Sequence, residues 1–459
     1  MPAADPYTLD NSSIVEPPRR LRNSVKYLGP GFILSASIVG SGELVATTTL
    51  GAKAGFAVMW VILVSCLVKV AVQLEFGKRA IMTGETTFAS LDTLPGKRLG
   101  KAHWSIWTWL FLMLFKFLQV GGILGLVAVL LHMAIPAIGI YYWLGIVAFG
   151  VSLIVFSGYY RVLEGLSVAM IVIFTLFTFF SLIALQFTDK AIVMGDVLSG
   201  LQFAIPEGEG MLLLVIGAFG ITGVGGDEIM AYNYWLIEKG YAANVGKNDG
   251  SEEWTRRARG WIRVMYIDAI FAMLVYTVVT VAFFLLGSAL LHGEPGFSDG
   301  GAEDFLKFLS GLYTETLGAW AGPVFYIGAF VVLFSTAFSA LGAWTRQYTD
   351  AFGRIKIINF SNFQSRRKCQ RILAWVIPAL WGLVYCLMEA MDKRPDWMVI
   401  AGGFVTSIIL LVVLFAAIIF KQRRIDTPIQ TGRFYEIAFW LSAIMILFVG
   451  IWALTKTFI

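Results

Sequence analysis

The chain has 459 residues, of which 58% are hydrophobic and only 14% charged, with a net charge of +5 and a mean hydropathy of +0.75. A soluble domain carries about 25% charged residues, so the composition excludes a soluble globular protein and describes an integral membrane one. The three cysteines (Cys66, Cys369, Cys386) and three histidines (His103, His132, His292) are too scattered for a disulfide framework or a His-based metal site, and the net charge fits basic cytoplasmic loops better than nucleic-acid binding.

From Met1 to about Val15 the chain is polar and holds Pro2, Asp5, Pro6 and Asp10. It lacks the basic start and short apolar core of a cleaved signal peptide, so the first span is expected to serve as the insertion signal. Apolar runs long enough to cross about 30 Å of hydrocarbon as helices follow near 28–50, 54–77, 104–134, 139–157, 164–187, 210–238, 261–291, 318–345, 371–391, 396–420 and 435–457, eleven spans in all. Alternating patterns of about ten residues, the mark of a membrane β-barrel, are missing. Only helices or closed barrels satisfy backbone polar groups in lipid, so the expected fold class is all-α. The longest connections, about 238–260 and 292–317, read as polar, Gly-rich loops, the first basic and the second acidic.

With the N-terminus in the cytoplasm, 27 of the 35 Lys and Arg fall in inside segments, 6 fall outside, and two, Lys69 and Lys116, fall within spans. That bias predicts a cytoplasmic N-terminus and an extracytoplasmic C-terminus, and the plasma (inner) membrane is the expected location. Spans 1–5 and 6–10 then form two five-helix units of opposite orientation. The expected organisation is a tail at 1–27, a first repeat at 28–190, a second, inverted repeat at 191–420, and an additional eleventh helix at 421–459.

Each unit opens on a span interrupted by glycines and carboxylates. The first break is Gly40-Ser41-Gly42-Glu43; the second is Gly223-Val224-Gly225-Gly226-Asp227-Glu228, followed by Met230. Glycine-broken spans at corresponding places in two halves mark inverted-repeat transporters, whose unwound backbone lines a site near the bilayer midplane. An acid at that depth is costly unless paired or hydrated and counts as functional by default. Open carbonyls near Gly40 and Gly223 suit a cation, and open N–H groups an anion. Asp227 and Met230 at i and i+3 share a helix face. A hard carboxylate beside a soft thioether suits Mn²⁺ or Fe²⁺ better than Mg²⁺ or Ca²⁺. The plainer reading makes the glycines close-packing positions, Met230 core, and Glu43 a partner of Lys69 or Lys116. Lys116 should face the bundle as counter-ion to Glu43, Asp227 or Glu228, or stand in for a bound cation in ion-free states. Lys69 is expected to pair with Glu75 or Glu43.

The lead-in Gly29-Pro30-Gly31-Phe32, the break eight residues after Phe32, and Leu44 resemble the Nramp family of proton-coupled divalent-metal transporters, whose fold is the inverted repeat of the LeuT type. The match runs on through Gly51-Ala52, Gly55, Trp60, Gln73 and Thr83-Gly84. In span 6, Asp227-Glu228-Ile229-Met230-Ala231-Tyr232-Asn233 resembles the family's Ala-Thr-Val-Met-Pro-His-Asn. The resemblance implies a metal site in which the family's helix-1 Asp is Gly40, its Asn is Glu43, its carbonyl-donating Ala is Asp227, and its Met is Met230. One carboxylate is lost and two are gained nearby. The family's helix-6 His is Tyr232, and its helix-3 Asp and Glu align with Lys116 and Gln119. The residues that carry protons in the family are therefore absent, and the resemblance lends no support to proton coupling.

The function expected is secondary transport of a divalent metal cation by alternating access. Glu43, Asp227, Met230 and backbone near Gly40 and Gly223 would be the ligands. Lys116, Glu228, Tyr232, Gln119 and Lys69 would be charge or gating partners. No cofactor, no nucleic acid and no enzymatic chemistry are expected; the partners are a small inorganic ion and the lipid bilayer, with a monomer as the expected state. The alternative on the same scaffold is transport of a small anion or carboxylate, bicarbonate or an amino acid, held by Lys116 and the Gly40–Gly42 amides. A non-transporting membrane receptor leaves two buried breaks without a purpose.

Overall fold

The computed structural model describes residues 5–9, 13–40, 42–157, 160–208, 210–294, 301–424 and 429–458, so Ser41 of the first break lies outside the described residues. The long helices are α1 (Pro30–Ile38), α2 (Thr48–Ala54), α3 (Met59–Thr83), α4 (Trp104–Ala134), α5 (Ile140–Ser157), α6 (Tyr160–Leu185), α7 (Met211–Ile221), α8 (Gly226–Glu238), α9 (Glu252–Leu290), α10 (Ala302–Leu317), α11 (Ala321–Arg354), α12 (Phe363–Glu389), α13 (Pro395–Arg423) and α14 (Arg433–Phe458). Nine helical stretches among the described residues are long and apolar enough to cross a membrane. The hydropathy pattern predicts eleven spans; here Gly42–Thr83 runs through parts of two of them, and Val172–Leu185 is a shorter apolar helix.

Local chemistry sets several helix starts. Ser251 Oγ accepts from Trp254 N at 3.0 Å to cap α9. Asn362 Oδ1 caps α12 through Gln364 N and Ser365 N at 2.9 and 3.0 Å, and Pro395 opens α13, where its missing N–H costs nothing. The stretch read as an acidic loop at 292–317 is corrected in part: 302–317 is the helix α10. Glu303 and Asp304 sit in its first turn, and Phe305, Leu309 and Leu312 are buried at helical spacing. A one-sided amphipathic helix with polar flanks reads as a loop when only continuous apolar runs are sought.

α13 lies along both α4 and α7, and α9 lies along α3 and α2. Glycine sets the closest approach. A Cβ on Gly217 of α7 would sit 2.6 Å from the Ile400 carbonyl oxygen of α13, and one on Gly220 would overlap the carbonyl of Gly403. Without a hydrophobic drive between helices in lipid, such small-residue contacts supply the packing. Large apolar side chains point outward along α5 (Tyr142, Phe149), α6 (Phe180) and α14 (Ile444, Phe448), as a lipid-facing surface requires.

The N-terminal stretch crosses one end of the bundle instead of hanging free. Asp5 pairs with Arg366 at 2.6 Å, Tyr7 Oη donates to Glu238 at 2.5 Å, and Trp261 Nε1 donates to the Val15 carbonyl at 2.9 Å. The hydrogen bond from Arg256 holds the Glu16 carboxyl below the usual carboxylate range.

Candidate cation site at the second helix break

At the first break, α1 ends at Ile38 and the chain resumes as a π-helical turn, Gly42–Thr47. Thr47 Oγ1 donates to the Gly42 carbonyl and Thr48 Oγ1 to the Glu43 carbonyl, each at 3.1 Å and five residues back, which fits a widened turn. Glu43 is fully buried. Its Oε2 accepts from Gly40 N at 3.2 Å and its Oε1 from Thr280 Oγ1 of α9 at 2.9 Å. Gly40 and Glu43 therefore satisfy each other within the protein.

At the second break, α7 ends at Ile221, Thr222 is extended, and Gly223 takes φ 62°, the left-handed region that glycine enters without penalty. Three carbonyls at the end of α7 converge on Lys69 of α3. Its Nζ donates to the carbonyls of Phe219, Gly220 (3.2 Å) and Thr222 (2.8 Å). Ser65 Oγ adds bonds to Phe219 and Thr222 at 2.8 and 2.9 Å. An ammonium at a helix C-terminus is the favourable sign for the helix dipole. The expected pairing of Lys69 with Glu75 or Glu43 is thus corrected: Glu75 binds Lys78 at 2.8 Å and Arg424 at 2.9 Å instead. Unsatisfied carbonyls gathered at one helix end outcompete a carboxylate that two other cations already neutralise.

α8 begins at Gly226 with two acids in its first turn, where the dipole favours them. Glu228 Oε2 accepts from Gly225 N at 2.7 Å. Asp227 Oδ1 meets Lys116 Nζ of α4 at 3.0 Å, with the two side chains only 9% and 5% exposed. Trp344 Nε1 donates to Asp227 Oδ2 at 3.4 Å, and Gln347 Nε2 to the Asp227 carbonyl at 2.6 Å. Lys116 Nζ also donates to Thr406 Oγ1 of α13.

These groups enclose a cavity of about 40 Å³ whose polar lining is Lys116, Gln119, Asp227, Glu228, Thr336 and Thr406. That is room for about one water or ion. The Gln119 Oε1 is buried and has no hydrogen-bond partner among the described residues. Such an orphaned acceptor is expensive unless something else fills its valence.

Of the residues singled out in the sequence, Asp227, Glu228, Lys116 and Gln119 therefore meet at one cavity. Glu43, Gly40, Gly223, Met230, Tyr232 and Lys69 do not line it. Met230 is fully buried, and its carbonyl accepts from Thr87 Oγ1 at 2.6 Å. Tyr232 donates to Asp268 Oδ2 at 3.4 Å. Gly223 packs against the backbone of Cys66. Asp227, in the first turn of α8, turns to Lys116, while Met230 is fully buried and lies outside the cavity lining. Thr336, Thr406, Trp344 and Thr280 were missed, since a lone hydroxyl or indole in an apolar span looks like filler. Asp268 was missed despite a signal, being an acid inside a span. It accepts from Gly29 N at 3.0 Å and Gly31 N at 2.5 Å, capping the start of α1.

The anion alternative is not favoured, because two parts of its receptor are already engaged. Lys116 is neutralised by Asp227, and the Gly40 amide is taken by Glu43. Among the described residues no group of three or more His, Cys, Asp or Glu could hold a metal ion. A cation at this cavity would instead meet two carboxylates and neutral oxygens.

Residues 31–456 match the profile of the natural resistance-associated macrophage protein-like (Nramp) family. The chain belongs to that family. Among its relatives is the divalent metal cation transporter MntH of Bacillus subtilis, 22% identical over 457 residues, covering 96% of this chain and 94% of that one. An uncharacterized protein of Pasteurella multocida is 25% identical over 329 residues, covering 71% and 70%. Among solved structures, an Eremococcus coleocola manganese transporter superposes with a TM-score of 0.66 at 16% identity, covering 96% of this chain and 90% of that one. Mhp1, a nucleobase-cation-symport-1 family transporter, does so with a TM-score of 0.50 at 13% identity, covering 94% and 92%. At these identities the structural likeness concerns the fold: this Nramp-family chain is an all-α membrane protein of the LeuT-like class.

Proposed function

We propose that this chain is a secondary transporter that moves a divalent metal cation across the plasma membrane by alternating access. The observation that carries the reading is the enclosed cavity at the second break, where Asp227 and Glu228 face Gln119 and two threonine hydroxyls across a single ammonium. Nramp membership supports it, as does the likeness over nearly the whole chain to proteins named divalent metal cation transporter MntH. The proposed frame is two five-helix units, 28–190 and 191–420, of opposite orientation, with the N-terminus in the cytoplasm.

In this reading Lys116 occupies the cation position while the site is empty and swings off Asp227 when the metal arrives. The Asp227 and Glu228 carboxylates and the Gln119 Oε1 then hold the metal, with Thr336 and Thr406 hydroxyls in reach of the cavity. These donors are all oxygen, the ligand type of hard divalent ions such as Mn²⁺ and Mg²⁺. Glu43 and Met230 act away from the metal, the first by tying the first break to α9 and the second as core.

The test is Mn²⁺ uptake into proteoliposomes. Wild-type protein transports, and the Asp227→Asn/Glu228→Gln double variant, folded but inactive, does not. Uptake that survives in the double variant would overturn the proposal.

A further inference from the structure

A second cavity, of about 180 Å³, lies between the C-terminal ends of α3 and α13 and is edged by Asn248 of the α8–α9 connection. Four cations line it: Lys78 and Arg79 from α3, Arg423 and Arg424 at the end of α13. Lys78 and Arg424 are buried, at 1% and 6% exposure. The one carboxylate in the lining, Glu75, is shared by both, at 2.8 Å from Lys78 and 2.9 Å from Arg424. Arg79 pairs with Glu85 at 2.5 Å. Among the described residues Arg423 bonds the neutral oxygens of Thr93, its hydroxyl at 2.8 Å and its carbonyl. Four cations from two helices thus line one cavity, and Glu75 is the carboxylate in that lining.

Positive charge near the cytoplasmic ends of spans is ordinary, and helix C-termini favour it. Neither rule explains why four cations from two helices converge on a common cavity with two of them withdrawn from water, where like charges repel most strongly. A cavity of this size has room for several waters or for a phosphate group. Guanidinium groups recognise phosphate through paired N–H donors, and basic pockets between membrane helices on the cytoplasmic side bind anionic headgroups.

We propose that this cavity is a binding site for a phosphate-bearing anion, either the headgroup of an anionic lipid or a free phosphate, in which Arg79 and Arg423 supply the contacts and Lys78 and Arg424 the fixed field. The site is separate from the α8 cavity and does not depend on what that cavity carries.

The experiment is thermal unfolding of the full-length protein in neutral detergent, with added cardiolipin, phosphatidylglycerol or phosphatidylcholine, and separately with inorganic phosphate against chloride of equal ionic strength. The expected result is stabilisation by the anionic lipids and none by phosphatidylcholine. Affinity should fall about fivefold for each charge removed in Arg79→Gln and Arg423→Gln, from roughly 1 kcal/mol per basic residue. Stabilisation by inorganic phosphate of the same size, with the same loss in the variants, assigns the site to free phosphate. Anionic ligands without effect, or an effect unchanged by both substitutions, overturn the proposal. Arg423→Gln, which among the described residues gives up bonds to Thr93 at an exposed edge, serves alone if Arg79→Gln does not fold.

Discussion

Lys116 offers the sharpest test of the cation reading, because removing it should move two measurements in opposite directions. The pair with Asp227 is 3.0 Å long and more than nine-tenths buried. Lys116→Met leaves a buried carboxylate whose remaining side-chain donor among the described residues is the Trp344 indole N–H at 3.4 Å, and stranding one member of such a pair costs about 3–5 kcal/mol. The metal-free protein should therefore melt well below wild type. A divalent ion must displace that ammonium in the wild type but not in the variant. If a third to a half of that ~3–5 kcal/mol is given up on displacement, Mn²⁺ affinity in Lys116→Met rises roughly fivefold to seventyfold. At fixed Mn²⁺, each factor of ten adds about 1.4 kcal/mol to the metal-induced stabilisation. Adding Asp227→Asn should restore much of the metal-free stability and abolish the Mn²⁺ response, the non-additivity expected of a contacting pair. The assay is thermal unfolding in detergent over a Mn²⁺ series, with uptake alongside. Unchanged metal-free stability refutes the argument. So does loss of the Mn²⁺ response in Lys116→Met, the pattern of an anion receptor built on the lysine.

Three further outcomes follow from the geometry. Met230→Ala should cost about 2–5 kcal/mol as a core truncation while leaving the ratio of Mn²⁺ to Mg²⁺ stabilisation unchanged; a ratio shifted toward Mg²⁺ would return the thioether to the metal. Asp268→Ala removes the acceptor of Gly29 N and Gly31 N, a loss of about 1–2 kcal/mol for a helix cap, and should raise thiol labelling of a cysteine placed in α1. Gly217→Ala, whose Cβ would lie 2.6 Å from the Ile400 carbonyl oxygen, should force α7 off α13 and cost about 1–3 kcal/mol by overpacking, read as a lower melting temperature with the Mn²⁺ affinity reduced as well.

The class of protein and the two helix breaks were legible in the sequence, since glycines and acids inside apolar runs are costly in lipid and mark places where a helix opens. Which atoms face each other was not. Asp227 and Glu228 reach the cavity, but Glu43, three residues from Gly40, folds back onto that residue's own amide. A spacing of three says the carboxylate can bend back; it does not say whether a ligand or the backbone receives it. Met230, one turn on from Asp227, is fully buried and does not line the cavity, which a spacing of three does not disclose. Thr406 and Thr336 give no signal in an apolar run. Lys69 had the right depth but the wrong partner, since only the folded structure shows that three carbonyls end beside it.

The two buried lysines are chemically alike, yet their surroundings assign them different work, and a paired experiment separates them. Lys116 lines the cavity and holds one carboxylate and one hydroxyl, so an arriving cation can take over its contacts. Lys69 is fully buried behind the break and holds three carbonyls, of Phe219, Gly220 and Thr222, with the Phe219 ring 4.9 Å away. Charged-donor hydrogen bonds contribute about 1.5–3 kcal/mol each and orphaned carbonyls cost more than the mean bond is worth, so Lys69→Met should destabilise by at least as much as Lys116→Met. Ser65 still covers Phe219 and Thr222, leaving Gly220 the most exposed of the three. The difference lies in rescue. Because the Lys69 position does not open to the cavity, Mn²⁺ should stabilise Lys69→Met no more than it stabilises wild type, whereas it should recover a large part of the loss in Lys116→Met. Equal rescue of both variants would mean that the carbonyl end of α7 is itself a metal position and that Lys69, too, is displaced during transport.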